Sequence, residues 1–206
     1  MGEVSTGREV RDEARQIDVL YVPNPGTESD RQQLGLLGRM AAQPCVFEPY
    51  SSRPGVNEVR SCILKLLVVL LGTVRTAKRE KQPMPAEREL PMLWILSPSA
   101  SPTLMERTGG KTEPSWPEGT YFMADALRTG FVAIDRLPET PDTLWLRLLG
   151  RNPTLERAIA ELMALPKRPR RDTAVRILAG WKTKIGSVED PDEEDRELLI
   201  AALRNS

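Results

Sequence analysis

The sequence predicts an α/β domain: a mixed sheet with helices packed against it, followed by a helical tail. Three observations predict it. Short apolar runs bounded by turn residues recur at "DVLYVPNP", "CVFEPY", "MLWILSP" and "GFVAIDRLP", the pattern of buried strands. A long stretch of helical spacing separates the second and third of these runs, and a connection of that length favours a parallel pair with a right-handed crossover. From Thr140 onward the pattern is helical. The expected division is a core over 1–138 and a helical extension over 139–206.

"GEVSTGREV" and "RQIDVLYVPNP" read as two successive strands able to pair as a hairpin, with Ser5, Thr6 and Gly7 supplying the bend. In the second, Ile17, Val19 and Tyr21 alternate with Asp18, Leu20 and Val22. Both faces turn apolar toward its end, as in a central strand. Pro23, Asn24, Pro25 and Gly26 stop it. A helix is predicted from Ser29, as N-cap, to Ala42, with Leu34, Leu37 and Met40 or Ala41 on one face. Pro44 leads into the strand "CVFEPY", and Ser51 to Gly55 form a connection.

Val56, Val59, Ile63, Leu66, Leu70 and Val74 then define the longest helix, running to Lys81. From Cys62 to Leu71 it is apolar nearly all the way round, so that half belongs inside, whereas "RTAKREK" belongs in solvent. A loop over Gln82 to Pro91 precedes the interior strand "MLWILSP". Ser101 and Pro102 open a short helix through Arg107, "TGGKTEPSWPEG" reads as loop, and "GFVAIDRLP" as the last strand. Thr140–Pro141 places a capping residue before a first-turn proline, and Gly150 ends that segment. Further helices are predicted over Thr154 to Leu165, Thr173 to Lys184 and from Asp190–Pro191 through Leu203. "PKRPRR" and "EDPDEED" read as solvated connections.

Composition excludes several chemistries. The 206 residues carry 29 basic and 29 acidic side chains, so no global basic field draws nucleic acid or membrane, and any such contact must use a local patch. The chain has no histidine, which excludes histidine-held zinc or haem and Ser-His-Asp catalysis. Cys45 and Cys62 sit among apolar residues and read as buried thiols of a reducing compartment. No apolar leader is visible, and "CILKLLVVLLG" is too short to span a bilayer and is interrupted by Lys65. A cytoplasmic chain without membrane contact is the expectation.

Asp18 and Glu48 each fall in the body of a predicted interior strand. A carboxylate there must be matched by a cation, hydrogen bonds or water. If the two strands are neighbours, both carboxylates converge on one hard cation, as Mg²⁺ or Mn²⁺ is bound by one or two carboxylates with water and phosphate. Lys65 is the only charge between Cys62 and Leu71, and an ammonium beside such a metal stabilises a scissile phosphate. The same residues have plainer readings. Asp18 pairs with Arg15 or a backbone amide, Glu48 with solvent or Arg53, and Lys65 with Glu58 or water. Trp94 and Trp145 read as core and Trp116 as an exposed loop residue, while Arg75, Lys78, Arg79 and Lys81 make a basic helix end.

"VRDEARQIDVLYVP", "LGLLGRMAAQPCVFEPYSSRPGVNEVRSCILKLL", "LPMLWILSPSAS" and "LPETPDTLWLRLLGR" together resemble a family of bacterial proteins. That family is grouped near the recombination-promoting nuclease and transposase-related proteins of the PD-(D/E)XK superfamily. The resemblance implies a restriction-endonuclease-like fold and magnesium-dependent cleavage of DNA. It places the first acidic position on Asp18 and the second on Glu48. Tyr50 stands where the superfamily's lysine is expected. Some members supply that lysine from the following helix, where this chain has Lys65. Superfamily cores commonly begin with a helix, whereas this chain is read as beginning on a strand, leaving part of one sheet face either less well covered or covered by another chain. The alternative expectation is a non-catalytic protein-interaction or self-association module that keeps the nuclease-like fold.

Overall fold

The computed structural model describes residues 16–166. The strand expected over "GEVSTGREV", the two last predicted helices, and all but the first residue of "PKRPRR" with the whole of "EDPDEED" lie outside the described residues. Within them the chain forms an α/β structure around one five-stranded mixed sheet. Its strands are β1 (Val19–Tyr21), β2 (Cys45–Pro49), β3 (Met92–Ser97), β4 (Thr120–Phe122) and β5 (Thr129–Ala133), in the order β1-β2-β3-β5-β4. β2, β3 and β5 run parallel, while β1 and β4 are antiparallel to their neighbours at the two edges.

The helices are α1 (Glu28–Gln32), α2 (Gly35–Met40), α3 (Val56–Arg79), α4 (Pro102–Thr108), α5 (Leu144–Arg147) and α6 (Asn152–Ala164). Strand alternation sorts the core into two layers. Val46, Leu93, Ile95, Phe131 and Ala133 pack with Val59, Cys62 and Leu66 of α3 and Leu104 and Met105 of α4. Cys45, Phe47, Trp94, Leu96, Val132 and Ile134 pack with Leu36 and Met40 of α2 and Leu146 of α5. Each fully buried aliphatic side chain contributes about 1.5–3 kcal/mol. A satellite cluster joins α5 to α6 through Leu144, Leu148, Leu155, Ala158, Ile159 and Leu162.

Both crossovers of the parallel strands, through α3 and then α4, lie on one face of the sheet. The expected parallel pair is therefore β2 and β3, joined by α3. Ser101 caps α4 as its sequence implies, with its Oγ accepting from Leu104 N at 3.1 Å.

Several expectations need correction. The strand expected to carry Asp18 begins only at Val19, is three residues long and lies at a sheet edge among the described residues, with Val19 47% and Leu20 54% exposed. Its apolar alternation resembles that of a central strand, but among the described residues it pairs with β2 alone. The helix predicted over 29–42 is two helices, broken before Gly35 at φ +53°. A Cβ at Gly35 would overlap the Asp142 carbonyl, and one at Gly38 the Arg31 carbonyl. Leu36 N donates to Asp142 O at 2.8 Å, so the break lets α2 turn onto the segment before α5.

α5 starts at Leu144 rather than behind Thr140–Pro141. The Thr140 carbonyl accepts from Thr143 N in a tight turn and from Arg147, and the Asp142 carbonyl accepts from Leu36 N, so the helical ladder starts later. β4 follows the predicted loop directly and was too short to leave an apolar run of its own. It exists because Thr120, Tyr121 and Phe122 pair with the outer side of β5.

Candidate functional site

Glu48 is the fourth residue of β2 and its side chain is on the α3 side of the sheet, between Val46 of the same layer and the turn that follows Pro49. It is 2% exposed. α3 brings its match. Val59, Cys62 and Leu66 repeat at three- and four-residue spacing and bury one face of the helix, which sets Lys65 beside them. Lys65 Nζ donates to Glu48 Oε2 at 2.6 Å. Cys62 Sγ donates to the same oxygen at 3.8 Å, and the Tyr50 hydroxyl lies 3.1 Å from Cys62 Sγ. The other oxygen, Glu48 Oε1, is buried and has no hydrogen-bond partner.

These neighbours shape one another's protonation. Burial pushes the Tyr50 hydroxyl above its ordinary value, with the Cys62 hydrogen bond adding to it. The Cys62 thiol is also raised, by burial first, although the Tyr50 hydrogen bond and the Lys65 charge act the other way. Both groups are therefore neutral around Glu48 at ordinary pH, and Lys65 is the one cation in direct contact with its carboxylate among the described residues.

Asp18 is placed differently. The β1–β2 register pairs Val19 with Phe47 and Leu20 with Val46, so the next pair along the ladder sets Asp18 opposite Glu48. Asp18 lies in a bend just before β1 and is exposed. Ile17, one residue earlier, packs into the α3-side core layer, a position that unbroken alternation from Leu20 would have given to Asp18. The interior environment expected for Asp18 is thus absent, because the bend gives the inward place to its apolar neighbour.

The other sequence-based pairings also shift. Glu58 accepts from Gly55 N at 3.1 Å and closes the start of α3, so it is not the partner of Lys65. Arg53 is not on Glu48. It acts on Asp135, whose carboxyl burial pushes up and Arg136, its own backbone and Arg53 pull down. Arg75, Lys78, Arg79 and Lys81 are exposed, as expected of a polar helix end. Trp116 is half-buried against Trp94 and Phe122, not an open loop side chain.

Cys62 and Tyr50 are the members of this cluster that the sequence reading left without a role. The signal was present: Cys62 precedes Lys65 by three residues on one helical face, and Tyr50 follows Glu48 by two on one strand face. Cys45 and Cys62 are buried and unlinked, in keeping with their apolar contexts.

No group of three or more cysteine, aspartate or glutamate side chains converges to hold a metal among the described residues. The donor set around Glu48 fits only a sparse site of the magnesium type, in which one or two carboxylates suffice. The unpartnered Glu48 Oε1 is the ligand atom such a site has to offer. No helix among the described residues is long and apolar enough to cross a membrane. Compared with known proteins, the chain matches no family model, no curated relative and no solved structure.

Proposed function

We propose that this chain is a magnesium- or manganese-dependent hydrolase of DNA phosphodiesters, built on a PD-(D/E)XK-like frame. The observation that carries the reading is the state of Glu48. It is a buried carboxylate with one oxygen on Lys65 and the other without a partner. Glu48 holds the cation, and Asp18, which the bend before β1 leaves exposed, swings in from solvent to supply the second carboxylate. A bound magnesium ion supplies Lewis acidity toward phosphate oxygens and water. The Lys65 ammonium stands in place of the lysine displaced by Tyr50 and opposes negative charge that develops on the phosphate.

The test uses the purified full chain with plasmid and single-stranded DNA in Mg²⁺ or Mn²⁺. Cleavage is expected, and is expected to disappear in Asp18→Ala and in Glu48→Ala. Cleavage that either variant leaves unchanged removes that residue from the mechanism.

A second reading, a non-catalytic self-association module, rests on different observations. Leu64, Val68 and Leu71 form one exposed stripe on α3, and Leu20 and Val22 are exposed at the sheet edge. Contiguous apolar surface of this kind marks interfaces. Lys65, Cys62 and Tyr50 also leave Glu48 almost no contact with solvent. Absence of any calorimetric signal with Mg²⁺ or Mn²⁺, together with a concentration-dependent mass in light scattering, favours this reading over the first.

A further inference from the structure

The opposite face of the sheet carries a second feature, independent of Glu48. Beside the start of β3, a cavity of about 620 Å³ is lined by Arg39, Arg88, Glu89, Met92, Trp94 and Trp116, among others. That volume suits a small organic molecule.

Its walls are built rather than incidental. Trp94, Trp116 and Phe122 form a mutual cluster with ring centroids 5.2–5.7 Å apart. The Arg39 guanidinium lies 3.7 Å from the Trp116 ring centroid, and its Nη1 donates to Ser115 O at 2.6 Å. A guanidinium fixed in this way over an aromatic ring is a prepared site for a planar group or an anion. Arg88, exposed on the same rim, adds a second positive charge.

Trp94 supplies the independent sign of a ligand. It is 1% exposed, and its Nε1–H has no hydrogen-bond partner. Buried indole N–H groups ordinarily find an acceptor. The orientation of the ring is set by Gly130, where an added Cβ would overlap Trp94 Cζ3 and Cε3. The Cζ3 edge therefore faces β5, and Nε1, at the far end of the indole, is enclosed behind the cavity wall to which Trp94 belongs. Met92, a flexible thioether in the same wall, accepts from Gln43 Nε2 at 3.4 Å and packs on the core, and its flexibility lets the wall adjust around a ligand.

We propose that this cavity binds a nucleotide. The base lies against the apolar and aromatic wall and gives a ring acceptor to Trp94 Nε1–H. Its exocyclic amine faces Glu89, a cavity-lining residue whose Oε2 accepts from Ala86 N. The phosphate takes Arg39 and Arg88. The same chemistry is offered by a free mononucleotide and by one unit of a single strand.

The experiment is calorimetric titration of the full chain, followed in parallel by tryptophan fluorescence, with AMP, adenosine, inorganic phosphate and a single-stranded oligoadenylate as probes. Saturable binding of AMP is expected, with weaker binding of adenosine and none of phosphate alone. Tighter binding of the oligoadenylate than of AMP identifies the strand as the source, and the reverse identifies the free nucleotide. Arg88→Gln, on the surface, is expected to weaken AMP about fivefold and leave adenosine unchanged. Trp94→Phe, which keeps the ring and removes the donor, weakens both probes about fivefold. The proposal is overturned if AMP shows no saturable binding at ~1 mM, if phosphate binds as well as AMP, or if neither variant changes the affinity.

Discussion

Lys65 Nζ donates to Glu48 Oε2 across 2.6 Å, and the two partners differ in burial: the lysine side chain is 17% exposed, the glutamate 3%. Removing either is therefore not equivalent. Lys65→Met leaves a carboxylate enclosed without its cation and is expected to cost about 3 kcal/mol. Glu48→Gln leaves an ammonium that reaches water and costs about 1 kcal/mol. Urea denaturation of both variants checks this, and equal or reversed costs would contradict the pairing.

Gly130 sits where the Trp94 ring crosses β5. Gly130→Ala forces its Cβ into that ring, and the tightly packed strand cannot move away cheaply. Destabilisation of about 2–3 kcal/mol is expected, with an altered near-ultraviolet circular dichroism spectrum from the displaced indole. A loss below ~0.5 kcal/mol would mean that the ring does not lie there.

Burial raises the Cys45 thiol from an ordinary 9.0 to about 12, and raises Cys62 and Tyr50 as well. In the unfolded chain the thiols give up their protons near 9.0, while the folded chain retains them. The folded state then binds more protons, so stability is fully present below pH 9.0 and falls as pH rises toward about 12. Each thiol contributes a slope of about 1.4 kcal/mol per pH unit within its window. Urea midpoints measured from pH 8 upward check it, and Cys45→Ala is expected to flatten the decline. A midpoint that holds constant through pH 10.5 would refute it.

Arg147 is buried, and its Nη2 donates to Glu161 Oε2 at 2.5 Å and to Thr140 O at 2.9 Å, while its Nε donates to Thr143 Oγ1 at 3.0 Å. It links α5 to α6. Glu161→Ala removes the one carboxylate on this guanidinium among the described residues and is expected to cost about 2 kcal/mol. Amide exchange should quicken in α6 first, ahead of the sheet. Uniform quickening across both would place α6 in the same cooperative unit as the sheet.

The parallel strands and α3 were legible because burial writes itself into composition: "CVFEPY", "MLWILSP" and the apolar face around Cys62 have few alternatives. The Glu48 environment was legible as a need for compensation, but its partner was not. Lys65 can turn toward Glu58 along the helix or toward Glu48 across the layer, and the choice depends on how α3 crosses β2. Asp18 was misread because alternation describes a strand's faces and says nothing about a bend one residue before it. The break between α1 and α2 was visible in Gly35 and Gly38, yet its cause is the Asp142 carbonyl, more than a hundred residues away in the chain. The cavity beside Trp94 draws on four separate segments, none of which carries a motif.

Arg128 has a consequence for how the sheet assembles. It stands just before β5 in a left-handed conformation at φ +43°, and its side chain donates to the Leu90 and Pro91 carbonyls and pairs with Glu87, all just ahead of β3. Parallel strands have no hairpin turn to set their offset. Here one guanidinium acts as the doorstop, fixing where β5 halts against β3. A chain that lost it would keep its apolar content and still collapse, but its two central strands could settle a dimension of two residues out of step. The penalty would surface as slow, heterogeneous refolding rather than as a missing core.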